Sequence, residues 1–317
     1  MRLLITRRLP EPVLRAAAEA HEMTFRDDTR PMGHAECVAA LRDYDAVLPT
    51  LGDAFRAPAF AEVPEPRCRI LAHFGVGYNH IDVAAARAAG VAVTNTPGAV
   101  TDATADIAMT LLLMSARRAA QGEWLVRAGG WDGWHPTQML GLHVSGKTVG
   151  IVGMGRIGKA IARRCHHGFG MEVLFFNRSP VADPGVPAKQ VASLPDLLGR
   201  ADFVVVAVPG GAGTRHLIGA PELAAMQAHA HLVNIARGDV VDEAALVAAL
   251  RAGAIGGAGL DVYEFEPAVP EALRALDNVT LLPHLGTAAL EVRIAMGMMA
   301  LDNIAAFAAG RTPPNLV

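Results

Sequence analysis

Short apolar runs alternate with Ala-, Leu- and Arg-rich stretches of helical character along most of the chain, and the alternation occurs in two series. Such a pattern buries both faces of its strands only when the strands form a parallel sheet covered by helices. The first series places strands at Arg2–Thr6, Ala46–Thr50, Arg69–Phe74 and Val91–Asn95. The second places them at Thr148–Gly153, Glu172–Asn177, Phe203–Val208, His231–Ala236, Ala258–Val262 and Val279–Leu282. A length of 317 residues exceeds what one core usually holds, so two doubly wound α/β lobes are expected. Between the series, a long apolar helix runs from Thr101-Asp102-Ala103-Thr104 to about Arg118, with Thr101 or Asp102 as its cap. After it come Gly129, Gly130, Trp131, Gly133 and Trp134, a loop able to reach beyond its own domain. A last helix, about Ala288 to Ala309, has no strand after it and is expected to fold back onto the first lobe. The expected domains are 1–98 with 287–317, discontinuous, and 99–286.

Hydrophobic residues make up 52% of the chain, enough for two buried sheets. The net charge of −3 and the absence of any Lys/Arg-rich run leave no field to hold a polyanion, so nucleic acid is not an expected partner. Cys37, Cys68 and Cys165 are odd in number and scattered without metal-ligand spacing. They read as small core residues in a reduced, cytoplasmic compartment. The apolar run Arg2–Thr6 is too short for the core of a signal peptide, and Ile107–Ser115 is too short to span a bilayer, so no membrane partner is expected. Adjacent His166 and His167 are expected to face apart on a helix, and no histidine pair has the spacing of a metal site.

The most specific local signal is Thr148-Val-Gly-Ile-Val-Gly-Met-Gly-Arg-Ile-Gly158, a strand, a tight turn and a helix start. Gly153, Gly155 and Gly158 fit G-x-G-x-x-G. The first permits the turn, the second lets backbone approach a pyrophosphate, and the third lets helix pack on strand. The helix N-terminus then offers N–H groups and a positive dipole end to phosphates. An acid is expected at the end of the second strand to hold the ribose 2′-hydroxyl; Asn177-Arg178-Ser179 stands there instead. Arg178 suits a 2′-phosphate, so NADP(H) is the expected cofactor, with NAD(H) possible.

Three further segments are Asn234-Ile-Ala-Arg-Gly-Asp-Val-Val-Asp242, Gly259-Leu-Asp-Val-Tyr-Glu-Phe-Glu-Pro267 and Leu282-Pro-His-Leu-Gly286. Together with the glycine turn and Asn95-Thr-Pro-Gly98, they closely resemble the D-isomer-specific 2-hydroxyacid dehydrogenases, in the family's order and over nearly the whole chain. Thr101–Asp106, the Trp131…Trp134 pair and Leu281–Thr287 are most similar to the glyoxylate/hydroxypyruvate reductases within that family. The resemblance implies a Rossmann dinucleotide-binding domain and a flavodoxin-like substrate domain. It implies a reductase of small 2-oxo acids to D-2-hydroxy acids. His284 would be the general acid/base, Glu266 its carboxylate partner and Arg237 the substrate anchor. Val76 and Gly77 would offer backbone N–H groups to the substrate carboxylate, and Trp134 would reach a neighbouring subunit's active site. The implied cofactor contacts are Thr104, Gly153, Gly155, Arg156, Ile157, Gly158, Asn177, Arg178, Ser179, Val208, Pro209, Ala236, Asp261 and Gly286. No metal is implied.

The chemistry asks for the same residue types. Reducing a 2-oxo acid needs a cation for the carboxylate and carbonyl, which the planar fork of Arg237 supplies. It also needs a proton donor near neutral pH, which His284 supplies beside a carboxylate that favours the imidazolium. Arg237, Glu266 and His284 each follow a strand end of the second series, where ligands bind open α/β sheets. Two departures stand out. Pro209-Gly-Gly-Ala-Gly-Thr214 is more glycine-rich than the family's usual loop, and His80 in Tyr78-Asn79-His80 reads as a hydrogen-bonding loop residue rather than a second catalytic group. Glu266 argues against formate dehydrogenase chemistry, whose histidine pairs with a glutamine. Phosphoglycerate dehydrogenase, though the chain leaves no room for the regulatory domain many of them carry, a reductase of bulkier 2-oxo acids and a dinucleotide-sensing corepressor stay open. A homodimer is expected, built on the Trp131–Trp134 loop and on the helix from Ile107, which has no charged face through its middle.

Overall fold

The computed structural model describes residues 1–317, which divide into two compact units: 1–100 with 287–317, and 101–286. The first unit opens with β1 (Arg2–Ile5), α1 (Glu11–Ala20), β2 (Glu22–Phe25), α2 (His34–Asp43) and β3 (Ala46–Leu48). It continues with α3 (Ala57–Ala61), β4 (Ile70–Ala72), α4 (Val83–Ala88) and β5 (Ala92–Thr94). Its sheet has the order β2-β1-β3-β4-β5 with every pair parallel, the flavodoxin-like winding. Strand β2 was not expected from sequence. It is an edge strand with alternating exposure, so Glu22-Met-Thr-Phe25 carries no apolar run.

The second unit holds α5 (Thr101–Ala116), α6 (Ala119–Arg127), β6 (Thr148–Val152), α7 (Arg156–Arg163), β7 (Glu172–Phe176) and β8 (Lys189–Gln190). After these come α8 (Leu194–Leu198), β9 (Phe203–Val206), α9 (Ala220–Ala224), β10 (His231–Asn234), α10 (Glu243–Arg251), β11 (Gly257–Leu260), α11 (Glu271–Arg274) and β12 (Val279–Leu281). The sheet order is β12-β11-β10-β9-β6-β7-β8, again all parallel. The chain winds outward from β6 to β8, then crosses back to lay β9 beside β6. That reversal is the switch point where open α/β sheets bind ligands, at the carboxyl ends of the strands. Strands β6 and β9 are buried almost throughout, so the switch point rests on a stiff floor. The unexpected β8 is two residues long, below what an apolar run can signal.

Helix α12 (Leu290–Ala308) returns to the first unit, where Ala300, Leu301 and Ile304 join the core built from Leu3, Ile5, Val13 and Leu48. Gly297 sets the distance of this contact: a Cβ there would lie 2.6 Å from both γ-methyls of buried Val13. The three cysteines are free and buried, and burial pushes each thiol up to about 12. No helix is long and apolar enough to cross a membrane.

Two local expectations are corrected. Thr101 and Asp102 lie inside the first turn of α5 rather than before it, and Asp102 accepts a hydrogen bond from Arg164. One side of α5 is used by its own unit, where Ala105, Ala108, Leu111 and Leu112 are fully buried, while Ile107, Leu113 and Met114 stay half-exposed. His166 and His167 do not face apart. They lie in a π-turn, Arg164–Gly168, whose wider winding brings their rings edge to face with centroids 5.0 Å apart.

Candidate active site

The glycines of the turn after β6 divide into two kinds. Gly153 has φ +102°, and a Cβ on it would lie 2.9 Å from the Ala207 backbone and the Val208 side chain. A Cβ on Gly158 would lie 2.2 Å from the Gly153 carbonyl oxygen. Packing therefore demands both. A Cβ on Gly155 would meet nothing within 4 Å, so the protein itself does not require glycine there. Gly155 is the N-cap of α7 and no side chain caps that helix. The open volume beside uncapped amides, next to exposed Arg156 and half-buried Ile157, fits the pyrophosphate of a dinucleotide.

Asn177 at the end of β7 uses its side-chain oxygen to accept the Met154 N–H at 2.8 Å. It holds the glycine turn from within. Arg178 and Ser179 are exposed beyond it, and the Ser179 carbonyl accepts a hydrogen bond from Gln190. The Arg178 guanidinium reaches toward the glycine-rich loop after β9, with Nη1 3.9 Å from where a Gly213 Cβ would stand. In that loop the Pro209 carbonyl accepts the Thr214 hydroxyl, and Gly210 makes room for Arg237, whose Cγ would otherwise lie 2.6 Å from a Cβ.

Strands β10, β11 and β12 are parallel neighbours, so their carboxyl ends share one edge of the sheet and present Arg237, Glu266 and His284. His284 Nδ1 and Glu266 Oε2 are 2.9 Å apart, with both side chains about a third exposed, at 30% and 31%. The other Glu266 oxygen accepts the Tyr263 N–H at 3.0 Å. Burial alone pushes the Glu266 carboxyl up. The hydrogen bond and charge of His284, the Tyr263 N–H and the Arg237 cation together outweigh it, so the group lies below its ordinary value and stays ionised at neutral pH. Arg237 is lowered chiefly by burial, opposed by Glu266 and Asp239. It donates to the Ala236 carbonyl from Nη1, while its buried Nε has no partner.

The turn carrying His284 is fastened by Asp261. Its carboxylate accepts N–H groups from Leu285 (2.6 Å) and Gly286 (2.8 Å), and its carbonyl accepts the His284 N–H at 2.9 Å. His284 is held at φ +55°, a region few non-glycine residues adopt. Thr104 donates its hydroxyl to the Gly286 carbonyl at 3.2 Å, so Thr104, Asp261 and Gly286 form one structural knot. Sequence reading missed three positioning residues. Asn234 accepts the Ala236 N–H and donates to the Arg237 carbonyl. Tyr263 donates its hydroxyl to the Leu282 carbonyl and so ties the turn of Glu266 to that of His284. Gly238 lies against the Tyr263 backbone so closely that a Cβ would come within 1.8 Å of it. All three stood inside the quoted segments; their roles depend on neighbours brought close by folding.

In the first unit, half-buried Val76 and Gly77 lie in the loop after β4. Trp134, in the second, is 79% exposed.

The model of the D-isomer specific 2-hydroxyacid dehydrogenase NAD binding domain matches residues 109–286. A glyoxylate reductase of Thermococcus kodakarensis is 44% identical over all of this chain and 96% of its own length, and one of Pyrococcus furiosus is 42% identical over 100% and 95%. Among solved structures, a Thermus thermophilus protein superposes with a TM-score of 0.92 at 40% identity, covering both chains fully. An NADPH-dependent glyoxylate/hydroxypyruvate reductase of Sinorhizobium meliloti, in complex with NADP and malonate, gives 0.88 at 37% identity over 100% of this chain and 96% of its own. The chain belongs to the D-isomer-specific 2-hydroxyacid dehydrogenase family.

Proposed function

We propose that this chain reduces small 2-oxo acids, glyoxylate and hydroxypyruvate foremost, to D-2-hydroxy acids. The observation that carries this reading is the 2.9 Å contact between His284 Nδ1 and an ionised Glu266. With Nδ1 held by the carboxylate, Nε2 is the nitrogen left to give a proton to the carbonyl oxygen of the substrate. Arg237 is a permanent cation whose unpartnered Nε and planar fork suit the same carbonyl and the adjacent carboxylate. A nicotinamide dinucleotide held at the glycine turn would supply a hydride to C2 of the acid, and His284 would give its proton to the oxygen, leaving a neutral imidazole. The curated relatives named as glyoxylate reductases support the choice of substrate.

His284→Ala is expected to lower kcat by at least the ~10²-fold typical of one general acid, with dinucleotide binding little changed. Glu266→Gln keeps the proton donor but takes away the anion that holds Nδ1, so kcat should fall while KM for the dinucleotide stays within about twofold of wild type. An unchanged kcat would contradict the pair.

NADP(H) is the cofactor the second-strand end favours, with NAD(H) the alternative. No carboxylate stands there to accept ribose hydroxyls or repel a 2′-phosphate, and the Asn177 oxygen is engaged by Met154. Arg178 and Ser179 are exposed and able to bond phosphate oxygens. A charge-assisted hydrogen bond contributes about 1.5–3 kcal/mol, about ten- to hundredfold in affinity. Arg178→Ala should therefore raise KM for NADPH by about that factor and leave NADH nearly unchanged; a wild-type preference for NADH would reverse the assignment.

The chain is also proposed to act as a homodimer. The apolar surface for a second copy combines half-exposed Ile107, Leu113 and Met114 of α5 with the segment after it, where Trp124 (69%), Trp134 (79%) and Leu140 (68%) are exposed. Light scattering at micromolar concentration should give twice the monomer mass, and a monomer there would reject the dimer.

A further inference from the structure

The loop Gly75–Tyr78 of the first unit has its carbonyls tied inward one after another. The Gly75 carbonyl accepts the Thr96 N–H at 2.9 Å, and the Val76 carbonyl accepts the Asn95 side-chain amide at 2.9 Å. The Gly77 carbonyl lies 3.1 Å from His73 Nε2. In a trans peptide the N–H points opposite to the C=O. Anchoring these carbonyls therefore turns the N–H groups of Val76, Gly77 and Tyr78 away from the anchors. Successive amides presented on one side form a concave anion site suited to a carboxylate.

We propose that His73 is the positioning residue of this loop, aiming its amides at the substrate carboxylate through the hydrogen bond from Nε2 to the Gly77 carbonyl; this rests on the 2-oxo acid reading above. His73 is fully buried at the end of β4, and its Nδ1 lies 3.2 Å from the Pro49 carbonyl. Pro49 and Gly77 each offer the ring a carbonyl oxygen, which only accepts. The Pro49 oxygen already receives the Phe74 N–H at 2.8 Å, so a proton on Nε2 satisfies the more demanding partner. The ring is wedged in place. The His80 ring meets it edge-on with centroids 4.6 Å apart, and a Cβ on Gly75 would come within 2.7 Å of Nε2. Gly75 thus admits the ring beneath the loop, and His80 acts as packing against His73 rather than as a second acid.

The test compares side chains that place a donor at different reach. His73→Gln carries an amide near the Nε2 position, whereas His73→Asn carries one near Nδ1, short of Gly77. His73→Phe keeps the ring without its N–H and is measured alongside. KM is independent of the folded fraction of a preparation, and KM for the dinucleotide serves as the internal control. His73→Asn and His73→Phe are expected to raise KM for glyoxylate about tenfold, the size of one well-placed hydrogen bond, with kcat and dinucleotide KM within about twofold of wild type. His73→Gln should stay within about threefold. A purely structural ring would instead move all three variants together, or move kcat rather than KM, and either outcome overturns the proposal. Wild-type enzyme inactive on every 2-oxo acid would remove the functional reading itself, a result distinct from an unchanged KM in active variants.

Discussion

The clasp of Asp261 on the turn after β12 is the constraint on which the proposed chemistry depends. A buried carboxylate is costly unless its lone pairs are filled, and burial pushes this one up from its ordinary value. The Leu285 and Gly286 N–H groups fill it from one side, and the neighbouring His284 adds an attraction when charged. The same residue's carbonyl receives the His284 N–H, so one aspartate fixes three consecutive amides and the left-handed backbone of the histidine. Strain at His284 persists because the surrounding bonds over-determine it. Glu266 is mounted independently, through Tyr263, whose hydroxyl crosses to Leu282. The acid and its partner are thus set on two strand ends that are themselves tied together.

Glycine does opposite work at neighbouring positions. Gly153, Gly158 and Gly238 are demanded by contacts inside the protein, whereas Gly155 faces open space at an uncapped helix start. Only the last kind points to a ligand, because nothing in the fold explains the missing side chain. The arginine of the site follows similar logic. Gly210 yields room for its stem, and a buried Nε is left without a partner, a cost that a bound oxyanion relieves.

Sequence read well wherever a signal was local and periodic. Both windings, ten of the strands and the strand-end placement of Arg237, Glu266 and His284 were legible because those strands, the edge strands β5 and β12 included, are short apolar runs. Edge strands β2 and β8 were not, since one alternates and the other has two residues. How the apolar residues of α5 divide between its own core and its half-exposed side was not legible, because a residue buried in its own unit and one left for a partner look alike in one dimension. Asn177 was read for its missing charge, while its grip on Met154 needed the fold. His73 carried no signal, as its partners Pro49 and Gly77 are ordinary backbone carbonyls.

The central claim is that this geometry turns over small 2-oxo acids. It is tested most directly by following dinucleotide oxidation spectrophotometrically, with wild-type protein and a panel of glyoxylate, hydroxypyruvate, pyruvate and phenylpyruvate. The account predicts the highest kcat/KM for glyoxylate or hydroxypyruvate, and D-glycerate as the product of hydroxypyruvate. Dinucleotide binding without turnover of any acid, or a strong preference for phenylpyruvate, would contradict it.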